Sequence, residues 1–534
     1  MGNEIETSRE TSERRRYGRL VVTGDAQLVV PEGSRHRTIA GKIRDVSATG
    51  IRFEAETQHA LQLGDSAIVV WDVPPQLGYT LHPKSYKLTG TIARVDTADG
   101  MGYSLGIKFT RLIPEQAQQV DTRPQRVSAV VMAVLVAIGI CILKARNVMF
   151  YWWAPIANTY SLLVCTYVYL RVAMSMFYKE PKDVGYMPSV SLIISAKNEE
   201  NHIRETVRHA FESRYPSHLF EVIVIDDGST DKTPELLTQL SNEYPRLRVL
   251  RHSENKGKRY AMATGAMEAK NDILVFVDSD SLVDEEGVYR IVQPFHDKAI
   301  GAVAGEISVV VEKDNFFSKM EVVRYQISQR VIKASESLFN GVTCCSGPFA
   351  AYRRISVLRV LPDWLNQSFA GQQATFGDDR SLTNYILRTH RVIFHHGAVC
   401  RTYVPRTWHD YFHQQLRWKK SWARETIIAS TFIWRKHPLT AIPFYLGILI
   451  TLFSPLIALR ALVYLPIFLS VSPLPYLTGL ALINVLLACV FFYYTRSRYW
   501  PYILAFVVLY IGALCWQTYY AIVTIPRNHW GSRV

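Results

Sequence analysis

The sequence is poor in cysteine: seven in 534 residues, at positions 141, 165, 344, 345, 400, 489 and 515. None sits at a metal-ligand spacing, four fall inside apolar runs, and adjacent Cys344-Cys345 is a poor geometry for an ordinary disulfide. Reduced, structural thiols are expected. The chain also lacks internal repeats and low-complexity tracts, which argues against a solenoid or a disordered linker protein. No secretory n-region with a cleavage site precedes the first polar stretch, so the N-terminus is expected to stay in the cytosol. Acidic residues are outnumbered, 46 against 60 basic, for a formal charge of +14. That excess suits nucleic acid, an anionic membrane surface or phosphorylated substrates.

Hydrophobic residues make up 49% of the chain and are strongly clustered, so part of it belongs in lipid. The membrane and phosphorylated-substrate readings of the charge are therefore preferred, and nucleic acid is not expected as a partner. Residues 127–143 and 149–172 read as two spans, the first of borderline length, with a brief basic break between them. Tyr151, Trp152 and Trp153 suit an interfacial belt, and Arg171 suits snorkelling to the headgroups. Two spans return the chain to the cytosol. Residues 439–469, interrupted by Pro455 and Arg460, read as one tilted span or as an interfacial helix plus a span. Residues 476–494 and 502–525 are clearer, and the expected total is five or six spans. Arg460 suits either snorkelling or the lining of a channel.

Before the first span, residues 26–30, 38–45, 50–54, 66–71, 86–95 and 102–109 alternate apolar and polar between turn residues, the pattern of a small sandwich or barrel. Arg15 and Arg19 belong to a basic stretch, Glu13-Arg14-Arg15-Arg16-Tyr17-Gly18-Arg19, and Asp45-Val46-Ser47-Ala48-Thr49-Gly50 is a polar turn. The arginines can fork onto phosphates while Asp45 and Ser47 hydrogen-bond a base or ribose. The plainer reading of the arginine run is a solvated tail. The R-x-x-x-R stretch followed by D-x-S-x-x-G in a short β domain resembles the PilZ family. The resemblance implies cyclic di-GMP as an allosteric activator, bound through Arg15, Arg19, Asp45, Ser47 and Gly50.

Residues 190–425 carry the chemistry. Apolar strands at 189–195 and 222–226 bracket a helical stretch at 199–212, a βαβ pattern that places ligands at the carboxyl ends of the strands. Asp226-Asp227 ends one such strand and can accept from a uracil N–H or ribose hydroxyls; capping of the next helix by Asp227 or Ser229 is the plainer alternative. Lys258 or Arg259, opening a helix in Lys256-Gly257-Lys258-Arg259, can reach a diphosphate or form a solvated turn. Asp278-Ser279-Asp280 ends the strand at 273–277, where Asp278 and Asp280 can hold Mg²⁺ or Mn²⁺ against a nucleotide-sugar diphosphate.

Gly377-Asp378-Asp379-Arg380 opens an amphipathic segment. Inverting transfer needs a carboxylate to deprotonate the attacking hydroxyl, and Asp379 is the first candidate, Asp378 the second, with Arg380 orienting. An N-cap beside a salt-bridged arginine is the alternative. Ser346-Gly347-Pro348 suits the acceptor side, where a small residue lets backbone approach a sugar. Gln414, Arg417 and Trp418 share a helix starting near Thr407; Trp418 can stack on an acceptor sugar and Arg417 can contact diphosphate. Trp408 and Trp422 read as interfacial anchors. Phe316, Phe317, Met320, Val323, Ile327 and Val331 recur at helical spacing with Lys319, Arg324, Arg330 and Lys333 between them, which suits either core packing or a helix lying in the membrane interface.

The strings Cys344-Cys345-Ser346-Gly347-Pro348, Gly377-Asp378-Asp379-Arg380-Ser381-Leu382-Thr383-Asn384-Tyr385, Gln414-Gln415-Leu416-Arg417-Trp418-Lys419-Lys420-Ser421 and the terminal Trp530-Gly531-Ser532-Arg533 resemble the processive family 2 glycosyltransferases, hyaluronan synthases in particular. The resemblance implies a GT-A catalytic domain, UDP-sugar donors, a divalent cation and growth of a polysaccharide exported through the same chain. It gives Asp227 to the nucleotide, Asp280 to the metal, Asp379 to base catalysis, and Gln414, Arg417 and Trp418 to the acceptor site. A PilZ domain is a departure from hyaluronan synthases, and chitooligosaccharide synthases share much of the pattern, so a homopolymer of GlcNAc or glucose, or single transfer to a lipid, stays open.

The expected architecture is a multidomain membrane protein: a PilZ-like β-barrel at 1–125, two membrane helices and a linker at 126–188, an α/β GT-A domain at 189–435 and further membrane helices at 436–534. Its expected setting is the bacterial inner membrane, with the sensor and catalytic domains cytoplasmic. Export or periplasmic partner proteins could complete the path.

Overall fold

The computed structural model describes residues 20–32, 35–47, 50–56, 66–73, 84–98, 102–109, 118–119, 123–149, 152, 154–312 and 315–525. Two compact units emerge, one holding residues up to Ser128 with 495–497, the other the rest. In the first unit the alternating segments form β1 (Leu20–Glu32), β2 (Arg35–Ser47), β3 (Gly50–Glu56), β4 (Ser66–Val73), β5 (Lys84–Ala98) and β6 (Gly102–Phe109), with a two-residue β7 (Gln118–Gln119). The strand order is β4-β1-β2-β3-β6-β5-β7, and an additional β4–β5 pairing closes the sheet into a barrel. Closure removes the exposed strand edges that a small open sheet would present. Alternation sends Leu28, Ile39, Phe53, Ile92 and Ile107 to the interior. Register pairs Ser47 with Gly50 across β2 and β3; Arg15 and Arg19 lie outside the described residues.

In the second unit, β8 (Val190–Ala196), β9 (Phe220–Asp226), β10 (Leu247–Arg251) and β11 (Ile273–Asp278) are parallel. With β12 (Ser281–Val283), β13 (Ile300–Val309), β14 (Ala350–Arg353) and β17 (Arg391–Thr402) they form one sheet of order β10-β9-β8-β11-β14-β13-β17-β12. A short hairpin, β15 (Ser368–Phe369) with β16 (Gln372–Gln373), stands apart. The central strands are largely apolar along their length because both faces are covered: Leu192, Val224 and Val275 enter one core, Ile193, Ile223 and Leu274 the other. The carboxyl ends of β9 and β11 deliver Asp226 and Asp278 to the same edge, flanking β8.

Three described helices are long and apolar enough to cross a membrane: Val127–Met149, Pro438–Leu469 and Leu474–Thr495. A fourth results if Tyr502–Leu514 and Gln517–Val523, bent by 46°, count as one span. This is fewer than the five or six expected from sequence. The expected second span is the helix Pro155–Met176, whose apolar run is diluted by Asn158, three tyrosines and Arg171. Nor does Arg171 snorkel. It is buried, 3.3 Å from Glu336 and donating to Ser335 Oγ at 2.9 Å; a buried carboxylate demands that counter-charge.

The helix Phe316–Ile327 continues through a π-helical turn, Ser328–Lys333, into Ala334–Ser337. Its apolar residues Phe317, Met320, Val323 and Val331 are buried. Three of its four basic residues turn to protein partners rather than a lipid face: Arg324 to Glu321, Arg330 to Glu306 and Lys333 to Ser346. All seven cysteines are unbridged.

Candidate active site

At the end of β9, Asp227 is fully engaged by the loop that follows β10. It accepts from the Lys256 amide at 3.0 Å and the Gly257 amide at 2.7 Å, and lies 2.7 Å from His252 Nδ1. Asp226 accepts from the Ser229 amide at 3.0 Å; its other oxygen faces Arg251 Nε at 3.2 Å without hydrogen-bond alignment. The two carboxylates thus order the loops that follow β9 and β10. Gly228 makes this possible: its φ of +67° is left-handed, and a Cβ there would lie 2.7 Å from the Glu254 carbonyl carbon.

Gly257 caps the helix Lys258–Glu268, and successive residues on that first turn diverge. Lys258 turns to the rim and pairs with Asp278. Burial pushes the Asp278 carboxyl up, Lys258 opposes the shift, and the like charge of Asp280 adds to it. Burial also works against the charge of Lys258, but Asp278 outweighs it and holds the ammonium's pKa above its usual value. Arg259 turns inward. Its Nε lies 2.7 Å from Asp378, its Nη1 donates to the Trp364 carbonyl at 3.0 Å, and both partners of the ion pair are buried. Arg259 and Asp378, candidates for diphosphate and second base, are brought together as a buried pair.

Asp379, next in sequence, faces the loop of Cys344 to Pro348, the candidate acceptor loop. Its Oδ1 accepts from the Arg380 amide at 2.8 Å and its Oδ2 from the Gly347 amide at 3.2 Å, with Cys344 Sγ at 3.9 Å. Burial works against the charge of Arg380 but the neighbouring Asp379 carboxylate favours it, and the guanidinium pKa stays above its usual value, while burial raises the Cys344 thiol. A Cβ on Gly347 would lie 3.2 Å from both Asp278 oxygens and 3.1 Å from Lys258 Nζ. One glycine therefore lies against Asp278 through its Cα face and holds Asp379, the candidate base, through its amide. Ser346 accepts from Lys333 at 2.7 Å, and the Pro348 carbonyl faces Cys400 Sγ at 3.6 Å.

Among the described residues no cluster of three or more His, Cys, Asp or Glu forms a closed metal cage. Asp278 and Asp280 nonetheless fit a hard divalent cation: they supply two carboxylates beside a cradle that a side chain at Gly347 would fill, and such ions keep open positions for phosphate and water.

Thr407 caps the helix Trp408–Ser430, accepting from the Asp410 amide. Gln414 Oε1 is buried without a hydrogen-bond partner, Arg417 is half-buried, and Trp418 is 38% exposed. Further along, Arg424 donates to the Phe376 carbonyl and to Glu425, which also receives Gln367 and Asn384 at 3.0 and 3.1 Å. Gly377, at φ +73°, meets Ser421 so closely that a Cβ would sit 2.0 Å from its Oγ. This clasp locks the helix Asp378–Thr389 onto the helix carrying Trp418.

Sequence reading missed the groups behind the site. Arg324 lies over the Trp418 ring at 4.7 Å, anchored by Glu321, which accepts from Tyr411 at 3.0 Å. Lys333 and the Arg171–Glu336 pair stand behind the acceptor loop. Polar residues between apolar ones, at positions where an interfacial helix would keep its charges in solvent, were the available signal.

Residues 191–361 match the Glycosyl transferase family 2 model, and residues 13–122 match the PilZ domain. The hyaluronan synthase of Streptococcus pyogenes is 30% identical over 287 residues, 53% of this chain and 68% of its own length. An N-acetylglucosaminyltransferase of Rhizobium meliloti is 30% identical over 283 residues, 51% of this chain and 66% of its own. The solved structure of the mannosyltransferase PcManGT from Pyrobaculum calidifontis is 22% identical and overlays 71% of this chain and 98% of its own with a TM-score of 0.46. With its strand-end carboxylates, Gly-Asp-Asp-Arg helix and Gln-x-x-Arg-Trp helix, the chain belongs to the family 2 glycosyltransferases, fused here to a PilZ domain.

Proposed function

We propose that the enzyme is an inverting, processive, UDP-sugar-dependent hexosyltransferase that builds a polysaccharide, passes it across the bilayer through its own spans, and is activated by cyclic di-GMP. The observation that carries the catalytic part is Gly347, whose Cα packs over Asp278 while its amide holds Asp379. That contact supports a site in which the carboxylate assigned to the donor side and the candidate base serve one transfer, with the sugar C1 between the attacking hydroxyl and the leaving oxygen.

Asp379 accepts the proton of the acceptor hydroxyl, whose oxygen bonds to the sugar C1 as the bond from C1 to the UDP oxygen breaks. A Mg²⁺ or Mn²⁺ ion held by Asp278 and Asp280 would offset the charge of the leaving diphosphate. Lys258 adds its own charge on that side, and Trp418 offers a stacking face to the acceptor sugar, beside Gln414 and Arg417. Asp227 acts through the Lys256–Gly257 loop rather than as a bare acceptor for ribose.

Hyaluronan-type copolymerisation is the first reading, from the Streptococcus pyogenes relative. A GlcNAc homopolymer is the second, from the Rhizobium meliloti relative. We place the enzyme in the bacterial inner membrane with both globular domains cytoplasmic, where UDP-sugars and cyclic di-GMP occur. The test is UDP release from the full chain in lipid nanodiscs with Mg²⁺ or Mn²⁺, offering UDP-GlcNAc, UDP-GlcA and UDP-Glc singly and in pairs, with and without cyclic di-GMP. Turnover with the GlcNAc and GlcA pair alone supports the copolymer; turnover with a single donor supports the homopolymer and removes the first reading. Short, lipid-linked products would remove processivity.

A further inference from the structure

The helix behind the acceptor loop is not regular. Its π-helical turn, Ser328–Lys333, is bolted to β13 by an amide pairing: Gln329 accepts from the Ile307 amide and donates to the Ile307 carbonyl, both at 2.6 Å. On the same turn Arg330 lies 3.6 Å from buried Glu306. π-turns cost hydrogen-bond geometry and persist mainly where a function needs the altered side-chain direction. What this one aims is Lys333. Its side chain is 93% buried by exposure of only 7%, and it donates to Ser346 Oγ at 2.7 Å. Among the described residues it makes no ion pair; the neighbouring Glu336 is bonded instead to Arg171 and Thr343. A buried ammonium with one neutral partner is expensive to maintain, so packing alone would favour an apolar residue here.

The bond it makes leads directly to the chemistry. Ser346 precedes Gly347, whose amide donates to Asp379 Oδ2 at 3.2 Å. We propose that Lys333 is a positioning residue for glycosyl transfer: through Ser346 it fixes the acceptor loop so that the Gly347 amide orients the Asp379 carboxylate toward the acceptor hydroxyl. This rests on Asp379 being the base. Lys333 does not touch the donor, so its loss acts on turnover and not on donor binding.

The test uses the full chain in nanodiscs with Mn²⁺ and the donors that support UDP release. Lys333→Met is expected to lower kcat at least tenfold with the donor KM within twofold, Lys333→Arg to restore most of that loss, and Ser346→Ala to lower kcat by a smaller factor. The double variant should be no worse than Lys333→Met, because both break one chain of contacts. An unchanged kcat in Lys333→Met, a loss confined to KM, or additive effects in the double variant would overturn the inference. Should Lys333→Met fail to fold, as judged by UDP binding, Ser346→Ala and Lys333→Arg decide: full activity in Ser346→Ala overturns it. Asp379→Asn separates the two readings. Wild-type turnover there removes the base, whereas inactivity there beside full activity in Lys333→Met removes only the positioning role.

Discussion

The rim and the floor of the catalytic site are built from the same residue types put to opposite uses. On the rim, Lys258 pairs with Asp278 in a setting about one-third and one-quarter exposed. On the floor, Arg259 pairs with Asp378 at 4% and 2% exposure, stacked on Trp364. One helical turn supplies both cations, and the Gly377-Asp378-Asp379 turn likewise sends one carboxylate to the floor and the next to the acceptor loop. Under the proposed mechanism, the rim charges would exchange partners with an incoming cation or phosphate. Floor charges are committed, since a buried ion broken from its partner has nowhere to be solvated. Chemistry and architecture are thus separated by one residue in sequence.

That contrast can be broken at either side. The largest effect is expected from Asp379→Asn, which should cut kcat by about 10²–10⁴-fold while UDP binding, followed by calorimetry, is kept. Retained turnover would move the base elsewhere. Arg259→Met should strand Asp378 in the core and destabilise the catalytic unit by about 3–5 kcal/mol, read as a lower midpoint of thermal unfolding. Gly377→Ala forces a side chain into the left-handed region and against Ser421; a loss of about 1–3 kcal/mol is expected, partly recovered in Gly377→Ala with Ser421→Gly. Lys258→Met, by contrast, should change stability by under about 1 kcal/mol. It should lower kcat/KM for the donor about tenfold, or ~1.4 kcal/mol. Equal destabilisation by the Lys258 and Arg259 variants would erase the distinction between rim and floor. In the other unit, Arg15→Ala with Arg19→Ala should abolish the ratio of activities with and without cyclic di-GMP; an unchanged ratio would put the sensor elsewhere.

Much of this was legible beforehand. Alternation marked the barrel strands and near-continuous apolar runs marked β8, β9 and β11, because these patterns follow from local periodicity, and the placement of Asp226 and Asp278 at strand ends followed from where those runs stop. Direction was not legible. Nothing in Lys258-Arg259 or Asp378-Asp379 says which member faces the core, since that depends on Trp364 and Gly347, distant in sequence. A π-turn has no composition of its own, so Lys333 looked like one more basic residue on an amphipathic helix. Arg171 was read against lipid because its partner, Glu336, lies far along the chain.

The Gly377–Ser421 contact and the Arg424 bond to the Phe376 carbonyl leave no slack between the helix that carries Asp379 and the helix that carries Trp418. Mechanically, the jaw that would grip a sugar and the tooth that would take its proton are one casting. If the enzyme is processive as proposed, repositioning of a product between rounds would fall to the sliding chain or to the loops around Asp227, and a designer seeking altered linkage would have to recut both helices together.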